Sequence, residues 1–70
     1  MDPTQCFLEM NDAMRDGDWE TARERALALR DWLDRGGFYP AGIRPAEVLT
    51  RLATVLRRSA HLDVPREDSP

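Results

Sequence analysis

Cys6 and His61 are the one thiol and the one imidazole of the chain. A nucleophile and its general base would have to be drawn from this pair, with an acidic residue to orient the base. No spacing in the sequence ties either residue to such an acid. Cys6 falls on or beside a predicted buried face, where a thiol behaves as a small apolar group. His61 falls on the polar side of a predicted helix end, a position that favours a solvated imidazole near the helix dipole. We therefore read the chain as non-enzymatic, with no catalytic residue.

Asp12, Asp16, Gly17 and Asp18 have the spacing of positions one, five, six and seven of an EF-hand calcium loop. Position three is then Met14 and position twelve is Arg23, so one ligand and the essential bidentate acid are missing. A single cysteine allows neither a thiolate metal cluster nor an internal disulfide. No metal and no cofactor are expected. Asp16 and Asp18 are better explained as helix-boundary residues, and Asp18 and Glu20 suit the positive N-terminal end of a helix.

Charge is the next chemical signal. The 70 residues carry 13 acidic and 10 basic side chains, and every basic one is arginine. An arginine-only composition fits a genome rich in G and C and suggests a bacterial source. The net charge of -3 and pI near 5.0 argue against bulk attraction to nucleic acid or anionic lipid. The distribution is uneven, however. Residues 1–20 hold six acids against Arg15, a local net of -5, whereas residues 44–61 hold four arginines against Glu47, a local net of +3. Arg44, Arg51 and Arg58 recur at intervals of seven, with Arg57 beside the last. Arg51, Arg57 and Arg58 thus form a candidate basic face, open to an acidic partner, to RNA, to the acidic end of a second copy or to intramolecular pairing.

Three helices must position these groups. Asp2-Pro3-Thr4-Gln5 reads as a helix start, with Asp2 as cap, Pro3 at the first position and Gln5 reaching back. This helix spans about 3–16, with Phe7, Met10 and Met14 on one face and Leu8 on the far side. Gly17 ends it and Asp18 caps the next, so the two helices form an antiparallel hairpin. The second helix covers about 19–35. Its buried stripe is Trp19, Ala22, Ala26, Leu29 and Leu33, with Trp32 on the flank and Leu27 well outside. Gly36-Gly37 stops it, and Phe38 and Tyr39 are expected to fold back over the end of the hairpin. Pro45 opens a third helix over about 45–61, with Val48, Leu49, Leu52, Val55, Leu56 and Ser59 in an amphipathic pattern. The fold class is all-α, a three-helix domain over 1–62 followed by a polar, proline-bearing tail at 63–70 expected to be disordered.

A domain this small buries only about 60% of the surface its unfolded chain exposes. Such a domain is expected to bind through a groove, a flat face or an oligomer interface rather than an enclosed pocket. No apolar run approaches the roughly 20 residues needed to cross a bilayer. The first residues lack the basic and apolar regions of a secretory signal, which together with the single cysteine points to the cytoplasm. Leu8, Leu27 and Trp32 remain without a place in the core, and they are the candidate partner-interface residues.

The segment Asp16-Gly17-Asp18-Trp19-Glu20-Thr21-Ala22 resembles the turn between the paired helices of a tetratricopeptide repeat. The resemblance covers about residues 5–35, one hairpin. Glu9 and Met10 stand where the family has a Leu-Gly pair, and Asp34 stands where it has a closing proline. The resemblance implies a scaffold for protein partners, although such proteins normally stack several repeats. The expectation is a non-enzymatic protein-interaction module that self-associates, as a homodimer, through its second or third helix. The alternative is a small nucleic-acid-associated regulator using the basic face of the third helix.

Overall fold

The computed structural model describes residues 2–63. It is all-α: α1 (Pro3–Arg15), α2 (Trp19–Asp34) and α3 (Pro45–Arg58), with a closing 3-10 turn at Ala60–Asp63. The expected tail lies outside the described residues from position 64 onward. Asp63, which was expected to begin that tail, belongs to the 3-10 turn.

The helix starts follow local chemistry. The Asp2 carboxylate accepts from the backbone N–H groups of Thr4 and Gln5 at 3.0 and 3.4 Å, which satisfies donors that have no partner inside the helix. Gln5 does not reach back to the cap as expected; its amide donates to Glu9 at 3.0 Å, one turn along. Gly17, at φ 76°, makes the left-handed turn, and Asp18 at once accepts from the Thr21 N–H at 3.1 Å. The link is so short that α2 returns antiparallel to α1.

The core forms where the three helices meet. Cys6, Phe7, Met10 and Ala13 from α1, Ala22, Ala26 and Leu29 from α2, and Val48, Leu52 and Val55 from α3 are all buried. Ala22 and Ala26 are wholly inaccessible, and their small side chains let both neighbouring helices approach α2 closely. Trp19 and Leu33 pack against this core from the ends of the α2 stripe.

Cross-links fix the direction of α3. The Ala41 N–H donates to the Thr4 hydroxyl at 3.0 Å, at the start of α1. At the other end of the molecule, Arg23 of α2 donates to the Leu56 carbonyl at 3.3 Å and the Ser59 hydroxyl at 3.1 Å. α3 therefore runs parallel to α1 and antiparallel to α2. Arg23 also places its charge at the C-terminal end of α3, where carbonyls lack helical partners. Buried Ser59 completes the stop by donating to the Val55 carbonyl at 2.6 Å, so α3 ends at Arg58 rather than near residue 61.

Two apolar expectations are corrected. Leu49 is 50% exposed, because it lies about 100° round the helix from the central buried residue Val48. Phe38 is 66% exposed and Tyr39 is also exposed, so neither closes the core. Pro40 is buried, and Ile43 packs against the core. What holds the loop is Trp32: its indole N–H donates to the Phe38 carbonyl at 2.9 Å, and the two rings meet edge to face at 5.4 Å.

The loop's path leaves no room at Gly37, where a Cβ would fall within the Trp32 indole. Gly37→Ala is expected to destabilise the fold by about 1–3 kcal/mol, as overpacking does. Thermal melts followed by circular dichroism measure this, and the combined Gly37→Ala/Trp32→Leu variant should lose less than the sum of its two single changes.

Candidate functional site

An open groove of about 470 Å³ lies between the parallel helices α1 and α3, beside the first residue of α2. Asn11, Met14 and Arg15 line it from α1, Arg51 and Arg58 from α3, and Trp19 from the first residue of α2. Helical periodicity explains this lining. Asn11 and Arg15 are one turn apart on the α3 side of α1, and Arg51 and Arg58 are two turns apart on the α1 side of α3.

The arginines are held in different ways. Arg15 pairs with Asp12 on its own helix, and that carboxylate raises its already high pKa. Arg51 sits 3.8 Å from Glu47 and 3.5 Å from the Asn11 side-chain oxygen, both at the limit of a contact. The Arg58 guanidinium lies over the Trp19 ring, 5.8 Å from its centre, an arrangement worth about 0.5–1 kcal/mol at an exposed site. Neither Arg57 nor Arg58 has an ion pair among the described residues. The groove thus presents a positive rim above half-buried Met14 and Trp19.

The acidic N-terminal segment is largely committed within the fold. Asp2 and Asp18 cap helices, Asp12 pairs with Arg15, and Glu9 accepts from Arg25 at 2.8 Å. Hydrogen bonds from Gln5 and Arg25 hold the Glu9 carboxyl below its ordinary pKa, and hydrogen bonds from Thr21 do the same for Asp18.

A second depression lies between α1 and α2, lined by Asp2, Gln5, Cys6, Glu9, Arg25 and Ala28. Cys6 is a buried free cysteine whose thiol donates to the Arg25 carbonyl at 3.2 Å. Burial pushes its pKa up; the Arg25 charge opposes this and Glu9 adds to it. That is the opposite of what activates a nucleophile. His61 is exposed beyond the far end of α3, so the bundle keeps these two residues at opposite ends. Among the described residues, no group of three metal-ligating side chains gathers, and no helix is long and apolar enough to cross a membrane.

Leu8, Leu27 and Trp32 sit on separate parts of the surface. Leu8 is 48% exposed on the outer side of α1. Leu27 is half-buried and lies towards the α3 flank of α2, whereas Trp32 lies towards the α1 flank, half-covered by the Phe38 loop. Of the basic residues, Arg51 and Arg58 meet in the groove, while Arg57 is exposed outside its lining. Sequence reasoning missed Asn11, Met14, Arg15 and Trp19 as groove residues. The four-residue interval between Asn11 and Arg15 was visible, but not the helix it would face. No protein-family model, curated protein or solved structure matches the chain.

The raised Cys6 pKa means that folding favours the neutral thiol. Its contribution to stability is full below the ordinary cysteine pKa and is lost as pH rises through the higher folded value. Labelling with an aromatic disulfide reagent should be slow in the native protein at neutral pH and prompt in denaturant; fast native labelling would contradict an inert Cys6. At the acid end the sign reverses: Glu9 and Asp18 contribute above the unfolded carboxylate pKa of about 4, and that stability is lost as pH falls through their lower folded values. Glu9→Gln and Asp18→Asn should each flatten the acid limb of a melting-temperature profile.

Proposed function

We propose that this chain is a small, non-enzymatic protein-interaction module that binds an acidic segment of a partner in the groove between α1 and α3. The observation that carries this reading is the lining itself, Trp19 with Arg15, Arg51 and Arg58 around an open channel. Tryptophan and arginine dominate the energetics of protein interfaces. The planar guanidinium forks onto carboxylates, and a half-buried indole supplies apolar contact at little cost in conformational entropy. The likeness of the α1–α2 hairpin to a tetratricopeptide repeat points the same way. A buried free thiol suits a reducing cytoplasm.

A second reading is a nucleic-acid-associated regulator. It draws on Arg57 and Arg58, which carry no ion pair among the described residues, and on Arg51 beside them. The chain's net charge of -3 works against it, because nucleic-acid affinity is dominated by phosphate neutralisation.

Fluorescence anisotropy separates the two. A labelled Glu- and Leu-containing helical peptide should bind, and the Arg51→Gln/Arg58→Gln variant should weaken it by about tenfold or more, as expected on losing two charge-assisted contacts. Binding of labelled single-stranded RNA in preference to that peptide, with affinity falling steeply in salt, would instead select the second reading.

A further inference from the structure

We propose that the acidic partner is a second copy of this chain, whose α2 lays its solvent face along the arginine groove. This inference rests on the interaction reading above and names its occupant. The outward face of α2 carries Glu20, Glu24 and Asp31, all exposed. Their intervals of four and seven keep them in one stripe on a helix of 3.6 residues per turn. Glu24 and Asp31 are seven residues apart, as are Arg51 and Arg58 in α3. At about 1.5 Å per residue, both pairs span about 10.5 Å along their helices.

The apolar parts also correspond. Leu27 stands three residues after Glu24 and four before Asp31, half-buried at the edge of the stripe on the α3 side, so it adds an apolar margin to the acids. The groove offers the complement, with Met14 and Trp19 beneath a rim of arginines. Ala28 beside the stripe is small and exposed, which allows close approach.

Neither surface can satisfy the other within one molecule. The groove opens between α1 and α3, while the stripe faces solvent on the far side of α2, so the bundle holds them apart. The acids are only lightly committed. Glu24 pairs with Arg25 and Asp31 with Arg35 through solvent-exposed side chains, and such pairs hold little energy. Arg25 retains Glu9 if Glu24 leaves it. Glu20 has no ion pair among the described residues. Because the two faces differ and point in opposite directions, the contact is head-to-tail and each added copy leaves one groove and one stripe open.

Sedimentation velocity over a concentration series tests this, first in about 50 mM and then about 500 mM salt, where screening shortens from more than 10 Å to a few ångströms. The wild type should form species beyond the dimer at low salt, with association weakened by about tenfold or more at high salt. Glu24→Gln/Asp31→Asn and Arg51→Gln/Arg58→Gln should each be monomeric alone. Mixed, they should form a one-to-one complex and stop there, since each retains a single working face. A strict wild-type monomer at low salt overturns the proposal, as does association indifferent to salt and to both variants. Should the arginine variant lose helicity by circular dichroism, the salt series and the exposed Glu24/Asp31 variant still decide. A monomer that binds the labelled acidic peptide refutes self-recognition alone, whereas a monomer that takes labelled RNA in preference to the peptide refutes the interaction reading as well.

Discussion

Close approach of the helices at Ala22 and Ala26 is the constraint on which the rest of the structure depends. Both side chains are completely buried, and neither could be larger without forcing α1 or α3 outward. With α2 thus contacted on two sides, Met10, Leu29, Val48 and Val55 interlock into one core. A chain this short has no second layer to bury apolar surface, so its stability rests on that single meeting place. The same geometry makes α1 and α3 parallel neighbours with an open groove between them. The groove is a by-product of putting α2 in the middle.

Electrostatics follow from that arrangement rather than from the blocks of charge seen along the chain. Carboxylates near the start of the sequence are consumed locally: Asp2 and Asp18 cap helices, Asp12 holds Arg15, and Glu9 joins α1 to α2 through Arg25. Exposed pairs of this kind contribute little to stability. Folding instead gathers arginines from two helices around Trp19 and leaves an acidic stripe on the opposite side of α2. The polarity that matters runs across the bundle.

Arg23 shows how a single side chain joins local structure to tertiary structure. It leaves the first turns of α2 to reach the Leu56 carbonyl and the Ser59 hydroxyl, sealing the end of α3 while fixing that helix against α2. Ser59 is buried because of this contact and its bond to Val55. A serine in an apolar stripe is ordinary from sequence, and an arginine in the first turns of a helix carries no signal of a partner 36 residues away. Trp32 acts similarly at the other end, where it holds the Phe38 carbonyl and demands a glycine at position 37.

Sequence alone determined the three helices, the aspartate caps of the first two, the antiparallel hairpin and most of the core, because each depends on residues within a few positions of one another. Asp2, Gly17, Asp18 and Pro45 mark boundaries through local hydrogen bonds and backbone preference, and the 3.6-residue period marks the buried stripes. Tertiary structure alone decided that Pro40 is buried while Phe38 is exposed, that Leu49 faces solvent, that Leu8, Leu27 and Trp32 lie apart, and that Arg15, Arg51 and Arg58 line one groove with Trp19. Helical periodicity gives the angle of a residue about its own axis. It does not contain the direction of the neighbouring helix, and that direction is set only when α3 docks across the hairpin.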